Sequence, residues 1–145
     1  MTVGRGAGFG RRFAALIYDA FLLTAVLMIF TAAALAFTPG HLAISRETVG
    51  GWFYAYRVGE LSLIGAYYAV NWVHSGQTLG MRAWRLRVVR DDGGTLKAAD
   101  AVRRFICGFA AWPPAALGVL WLYLDPEHRA LHDRLSHTRV VTLGG

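Results

Sequence analysis

A single cysteine, Cys107, excludes a disulfide-stapled scaffold. Charge is scarce as well. Of the 145 residues 17% are charged and 55% hydrophobic, where soluble domains average about 25% and 45–50%. This balance excludes an intrinsically disordered chain, which needs low hydrophobicity. Catalytic signatures are also missing. No Ser/His/Asp set with a nucleophile elbow occurs. The stretch Gly76-Gln77-Thr78-Leu79-Gly80 lacks the glycines or the lysine that a dinucleotide fingerprint or a phosphate loop requires. His128 and His132 have a spacing that can chelate a metal on one helix face, but no glutamate follows the first of them as in a zinc protease. Cys107 has no nearby base and reads as a packing residue. The chain is therefore expected to be no enzyme and to carry no cofactor or resident metal.

What is present is segregated. Phe13 to Phe37 is an apolar run of 25 residues with one charge, Asp19. Trp52 to Val73 is a second run of 22, with Arg57 and Glu60 in its first turns. These two charges are three apart and can pair on one helix face. Trp52, Phe53, Tyr54 and Tyr56 beside them resemble an interfacial aromatic belt. Phe105 to Leu124 is a third run of 20, interrupted by Pro113-Pro114. A spanning helix needs about 20 apolar residues. A cleaved signal peptide is a poor account of the first run, which is too long, carries Asp19 and precedes further runs. The expected fold is all-α: one polytopic membrane domain over 1–145, with membrane segments at 13–37, 52–73 and 105–124 and a connector at 74–104.

The basic residues fall between the runs. Arg5, Arg11 and Arg12 precede the first, and Arg46 alone lies in the 38–51 loop. The connector holds Arg82, Arg85, Arg87, Arg90, Lys97, Arg103 and Arg104. This is a positive-inside pattern with the N-terminus and the connector cytoplasmic. The net charge of +6 then reports orientation, not a nucleic-acid partner. Within the connector, Trp84, Leu86 and Val88 alternate with Arg85 and Arg87, a short amphipathic strand. Asp91-Asp92-Gly93-Gly94 is a turn signal, so a basic hairpin is expected on the cytoplasmic surface. There Arg82, Arg85, Arg87 and Arg90 either contact anionic headgroups, at about 1 kcal/mol each, or simply set topology. The tail has two readings. A simple third span puts it outside, as the length of the run suggests. A hairpin broken at Pro113-Pro114 puts it inside. Arg82–Val89 and Arg134–Val141 each contain two arginines five apart and a Val-Val pair, which suggests that they share a compartment and pair.

Asp19 is the most informative single residue. An ionisable group inside a span costs about 2.5–3.5 kcal/mol on insertion scales and should face protein and have a partner. Arg12 lies two turns earlier on nearly the same face, and the connector supplies other arginines. Asp19 is read either as a proton- or cation-binding carboxylate or as half of a buried ion pair that fixes helix packing.

Three motifs in order resemble the RDD family of bacterial integral membrane proteins, named for an arginine and two aspartates. Arg11-Arg12-Phe13-Ala14-Ala15 running to Asp19 matches its first helix. Gly76-Gln77-Thr78-Leu79-Gly80-Met81-Arg82 and then Leu86-Arg87-Val88-Val89 match its centre. Leu131-His132-Asp133-Arg134-Leu135 and Thr138-Arg139-Val140-Val141 match its C-terminal part. The sequence departs from the family where Met81 and Arg82 stand in place of a usual lysine, and where His132 replaces a usual glycine. The resemblance implies about three transmembrane helices, an inner-membrane location, and Arg12, Asp19 and Asp133 as the family's charged site. Two candidate roles remain, the first in line with the sodium/proton antiport to which a few members of the family are linked. One is transport of protons or monovalent cations, for which three segments need a homo-oligomer or a partner. Gly65 and Ala69 offer small-xxx-small spacing for such close contact. The other is a non-catalytic accessory or adaptor subunit in which the charges lock helices.

Overall fold

The computed structural model describes residues 6–38, 44–110 and 129–143. The chain is mostly helical. In order it forms α1 (Phe9–Ala36), α2 (Arg46–Val49), α3 (Trp52–His74), α4 (Leu79–Ala83), β1 (Leu86–Arg90), α5 (Ala98–Ala110), α6 (Leu131–Leu135) and β2 (Thr138–Thr142).

α1 has 28 residues, about 42 Å at 1.5 Å per residue. It starts four residues before the apolar run does, because Gly8 is extended (φ −64°, ψ 159°) and lets the helix begin at Phe9. Arg11 and Arg12 are thereby carried on the helix itself. Among the described residues α1 is the one helix long and apolar enough to cross a membrane. Its large side chains point outward: Phe21 is 75% exposed, and Met28 and Ile29 are close behind. A soluble core helix would bury such residues. α3 packs antiparallel to α1. Near one end Tyr67 reaches Asp19, and near the other Tyr56 lies 2.7 Å from the Thr31 hydroxyl and stacks on Phe30.

The core lies at the Asp19 end of the two long helices. Ala7, Ala15, Trp72, Met81, Leu86, Val88, Leu96, Ala101 and Val140 form one buried cluster there. β1 and β2 make an antiparallel pair centred on Val88 opposite Val140, with Leu86 opposite Thr142 and Arg90 opposite Thr138. Ala7 N–H donates to the Val140 carbonyl at 3.1 Å, so the residues before α1 join the same edge. Alternation decides the faces: Leu86 and Val88 point inward and are 1% exposed.

One expectation is corrected here. The turn at 91–94 does form, with Gly93 at φ +82° and Arg90 N–H bonded to the Gly94 carbonyl at 3.0 Å. The strand that pairs with β1, however, comes from the tail and not from the connector, so no local hairpin exists. β2 lies hydrogen-bonded beside the connector, so the tail and the connector are neighbours in space. The two similar segments are in fact two similar units. Each consists of a five-residue helix, a residue in the left-handed region (Arg85, φ 53°; His137, φ 52°) and a five-residue strand. The start of the third run falls in α5, which begins already at Ala98. Pro113-Pro114 and the rest of that run lie outside the described residues.

The register gives a direct test. Opposed residues of an antiparallel pair have Cα atoms about 4.5–5.5 Å apart, within disulfide range. With Cys107→Ser as background, the double variant Val89→Cys/Arg139→Cys should cross-link on mild oxidation, because Val89 faces Arg139. Moving the second cysteine to Leu143 should abolish the cross-link.

Candidate functional site

Two aspartates are buried, and different chemistry holds each. Asp19, 2% exposed, projects from α1 toward α3 and α4. Tyr67 Oη donates to its Oδ1 at 2.7 Å, Gly80 N–H to the same oxygen at 2.8 Å, and Thr78 Oγ1 to its Oδ2 at 2.5 Å. Thr78 is also the N-cap of α4, accepting from Met81 N–H at 3.2 Å. One hydroxyl therefore starts a helix and binds the carboxylate. Gly80 is the contact point of α4 with α1. A Cβ there would lie 2.2 Å from the Ala15 carbonyl oxygen and 3.0 Å from Asp19 Cγ. Gly76 serves the turn before it, with φ +70° and the Val88 carbonyl 2.8 Å from where a Cβ would be.

Asp133, fully buried in α6, is the meeting point of three parts of the chain. Arg12 Nη1 from α1 donates to Oδ2. Arg104 Nη2 from α5 lies 2.7 Å from Oδ1, as an ion contact without hydrogen-bond alignment. Ala130 N–H reaches Oδ2 at 3.3 Å. Arg12 Nε also donates to the Ala7 carbonyl at 2.9 Å. Arg104 Nη1 donates to Thr138 Oγ1 at 2.5 Å, and its guanidinium stacks over Trp72 at 5.2 Å. Arg12 thus meets Asp133, 121 residues away, and Asp19 is held by hydroxyls and an amide. The sequence suggested Arg12 or a connector arginine for Asp19.

The cations set the ionisation around Asp133. Burial alone would raise its pKa, but Arg104 and Arg12 outweigh burial and hold the carboxyl well below the usual range. His132 Nε2 lies 3.5 Å from Asp133 Oδ1. Burial lowers its pKa to about 4, Arg104 and Arg12 add to the effect, and Asp133 opposes it. His132 is therefore neutral at pH 7. His128 lies outside the described residues, and among the described residues no three His, Cys, Asp or Glu side chains converge as a metal site.

The other predicted residues lie apart from these two centres. Arg57 and Glu60 pair at 2.6 Å near the start of α3, where Tyr56 Oη also donates to Glu60 at 2.7 Å. Arg82 and Arg85 are exposed. Arg87 Nε donates to the Ser75 carbonyl at 3.2 Å, and Arg90 pairs with Asp92 at 3.0 Å, so these two are spent within the protein. Gly65 faces Phe105 of the same chain, whose ring would lie 3.4 Å from a Cβ there. Arg104, Tyr67 and Thr78 belong to the site although sequence reasoning did not place them there. A cavity of about 200 Å³ opens between the two aspartate centres. Both Asp19 and Arg12 line it, as do Arg104 and Trp72.

The RDD family profile matches residues 6–137, nearly the whole chain. The chain belongs to the RDD family. No curated protein and no solved structure matches it. Both buried centres of this RDD protein contain residues of the matched segment: Arg12 and Asp19 near its start, Thr78 and Gly80 in its middle, Asp133 near its end.

Two predictions follow from this geometry. Gly80→Ala should destabilise the protein by about 1–3 kcal/mol or more, the usual cost of overpacking. Gly10→Ala, whose Cβ meets nothing within 4 Å, should be neutral or slightly stabilising; thermal melts of both in detergent are the check. The second concerns pH. Between its ordinary value of 6.5 and about 4, His132 takes up a proton in the unfolded chain but not in the folded one, so stability should fall as pH drops through that window. His132→Gln should flatten that part of the profile. The contribution of Asp133 is complete above its ordinary value of 3.8 and is lost only below it. Asp133→Asn should be less stable at pH 7 by about 3–5 kcal/mol and should lose the acid limb of the curve.

Proposed function

We propose that this RDD protein is a multi-pass protein of the bacterial inner membrane that acts as a non-catalytic accessory or adaptor module, its buried charges fastening the helices. The observation that supports this most directly is the occupancy of Asp19. Both of its oxygens already accept hydrogens from Tyr67, Thr78 and Gly80, and a cation would have to displace these donors. Asp133 is likewise committed to Arg12 and Arg104. In this reading the N-terminus, the connector and the tail are all cytoplasmic. The shared sheet edge supports a common side, and the basic residues concentrated there support the cytoplasm. α3 and the third apolar run are membrane segments with α1, and exposed Arg82 and Arg85 face anionic headgroups. The partner is a second copy or another membrane protein.

A second reading is transport of protons or monovalent cations through Asp19. Its support is that Asp19 sits inside the most apolar helix and lines the cavity. The readings separate on Asp19→Asn. The adaptor reading expects no sodium-, lithium- or potassium-driven proton flux from wild-type proteoliposomes. It expects Asp19→Asn to lower the melting point, since hydrogen bonds to a charged group are worth about 1.5–3 kcal/mol each. Flux in the wild type that disappears in a folded Asp19→Asn protein would establish transport instead.

A further inference from the structure

α1 is longer than the hydrocarbon it has to cross. From Phe13, the first residue past Arg11 and Arg12, to its end at Ala36 it measures about 36 Å, against about 30 Å of bilayer core. The surplus is about four residues of helix. With the arginines kept in the headgroup layer, the hydrocarbon begins along Phe13 to Ile17, whose middle residue is Ala15.

α4 is pinned at that level. Gly80 N–H donates to Asp19 Oδ1 at 2.8 Å, and a Cβ on Gly80 would lie 2.2 Å from the Ala15 carbonyl oxygen. The helix has five residues and ends on Trp84 as its C-cap, so Trp84 is only about 6 Å of helix from Gly80. Whichever way α4 points, it stays near the boundary between headgroups and acyl chains. What it shows outward suits that layer. Leu79 and Trp84 are 40% and 44% exposed. Exposed Leu143 lies beside them in the fold, its N–H donating to the Arg85 carbonyl at 2.8 Å. Arg82 and Arg85 are exposed, and among the described residues neither guanidinium enters an ion pair. Arg87 and Arg90, by contrast, are bonded within the protein. Tryptophan favours the interfacial layer, and arginine stems can reach from it to the headgroups.

We propose that α4 and Trp84 form an interfacial anchor seated in the cytoplasmic leaflet. Leu79, Trp84 and Leu143 lie among the upper acyl carbons, and Arg82 and Arg85 meet anionic headgroups. The occupant of this face is the lipid surface itself. Asp19 is then the tether of the anchor, since its bonds to Thr78 and Gly80 hold α4 at that depth. The inference rests on α1 spanning the membrane with its first turns on the cytoplasmic side, and adds that α4 is a bilayer element.

The test is spin labelling of the full chain in lipid vesicles, on a Cys107→Ser background. Leu79→Cys and Trp84→Cys carry the label on α4. Phe21→Cys, on the exposed face of α1, is the lipid reference, and Asp92→Cys, in the exposed turn, is the water reference. Relaxation by oxygen, which concentrates in lipid, and by a nickel chelate, which stays in water, reads the depth. Both α4 sites should fall between the references. In a second arm, wild type should melt higher in phosphatidylglycerol than in phosphatidylcholine vesicles, and Arg82→Gln/Arg85→Gln should lose most of that gain. Melting curves report the folding of each labelled protein, and the two α4 sites stand in for one another. Water-like access at α4 with Phe21 in lipid would overturn this inference alone. Poor access to both reagents, the mark of a protein contact, would overturn it in favour of a partner surface. An equal gain for wild type and the double variant would overturn it as well. A Phe21 site in water would overturn the spanning of α1 and this inference together.

Discussion

A carboxylate removed from water is tolerated only when other groups replace the water, and Asp133 meets that demand with two guanidinium groups from distant helices. Arg12 comes from α1 and Arg104 from α5, while Asp133 itself sits on a helix of five residues. That short helix could not hold its place by its own hydrogen bonds. It is placed by what its aspartate binds. The placement of β2 follows, because Thr138, which begins that strand, is bonded to the same Arg104. The sheet, and through it the inward face of Leu86 and Val88, therefore depends on one ionic junction. Such junctions are weak sources of net stability but strong specifiers of arrangement, since losing one partner strands the others.

Asp19 solves the same problem without a cation. Its ligands are two hydroxyls and a backbone amide, all close in space and from only two neighbouring elements. The difference has a structural reason. α4 approaches α1 so closely that Gly80 has no room for a side chain, and an arginine could not be inserted between them. The same closeness exposes the Gly80 N–H to the carboxylate.

Much of this was legible in the sequence at the level of elements. The apolar runs located α1 and α3, the alternation at Leu86 and Val88 located β1, and the repeated Arg and Val-Val pattern pointed to the pairing of β1 with β2. The resemblance grouped Arg12, Asp19 and Asp133, but which of them pair across the chain was not legible. Spacing reveals what one helix brings together, as with Arg57 and Glu60, and is silent about contacts across 121 residues. Arg104 was counted among seven basic residues of the connector, and nothing in its neighbourhood marks it as buried. Thr78 could have been found from its chemistry, since a threonine directly before a short helical stretch is a natural N-cap. That cap also bonds Asp19, which only the packing reveals. The requirement for glycine at position 80 comes from α1, far away in sequence.

The sheet edge that joins Gly6 and Ala7 to β2 has a consequence for biogenesis. Residues near the start of the chain are closed by residues near 140. During synthesis Arg12 emerges early, and Asp133 emerges 121 residues after it, with β2 later still. Arg12 therefore meets its carboxylate partner only after both long helices and α5 have been made. The final architecture cannot assemble stepwise from its front. It closes only once α6 and β2 have been made.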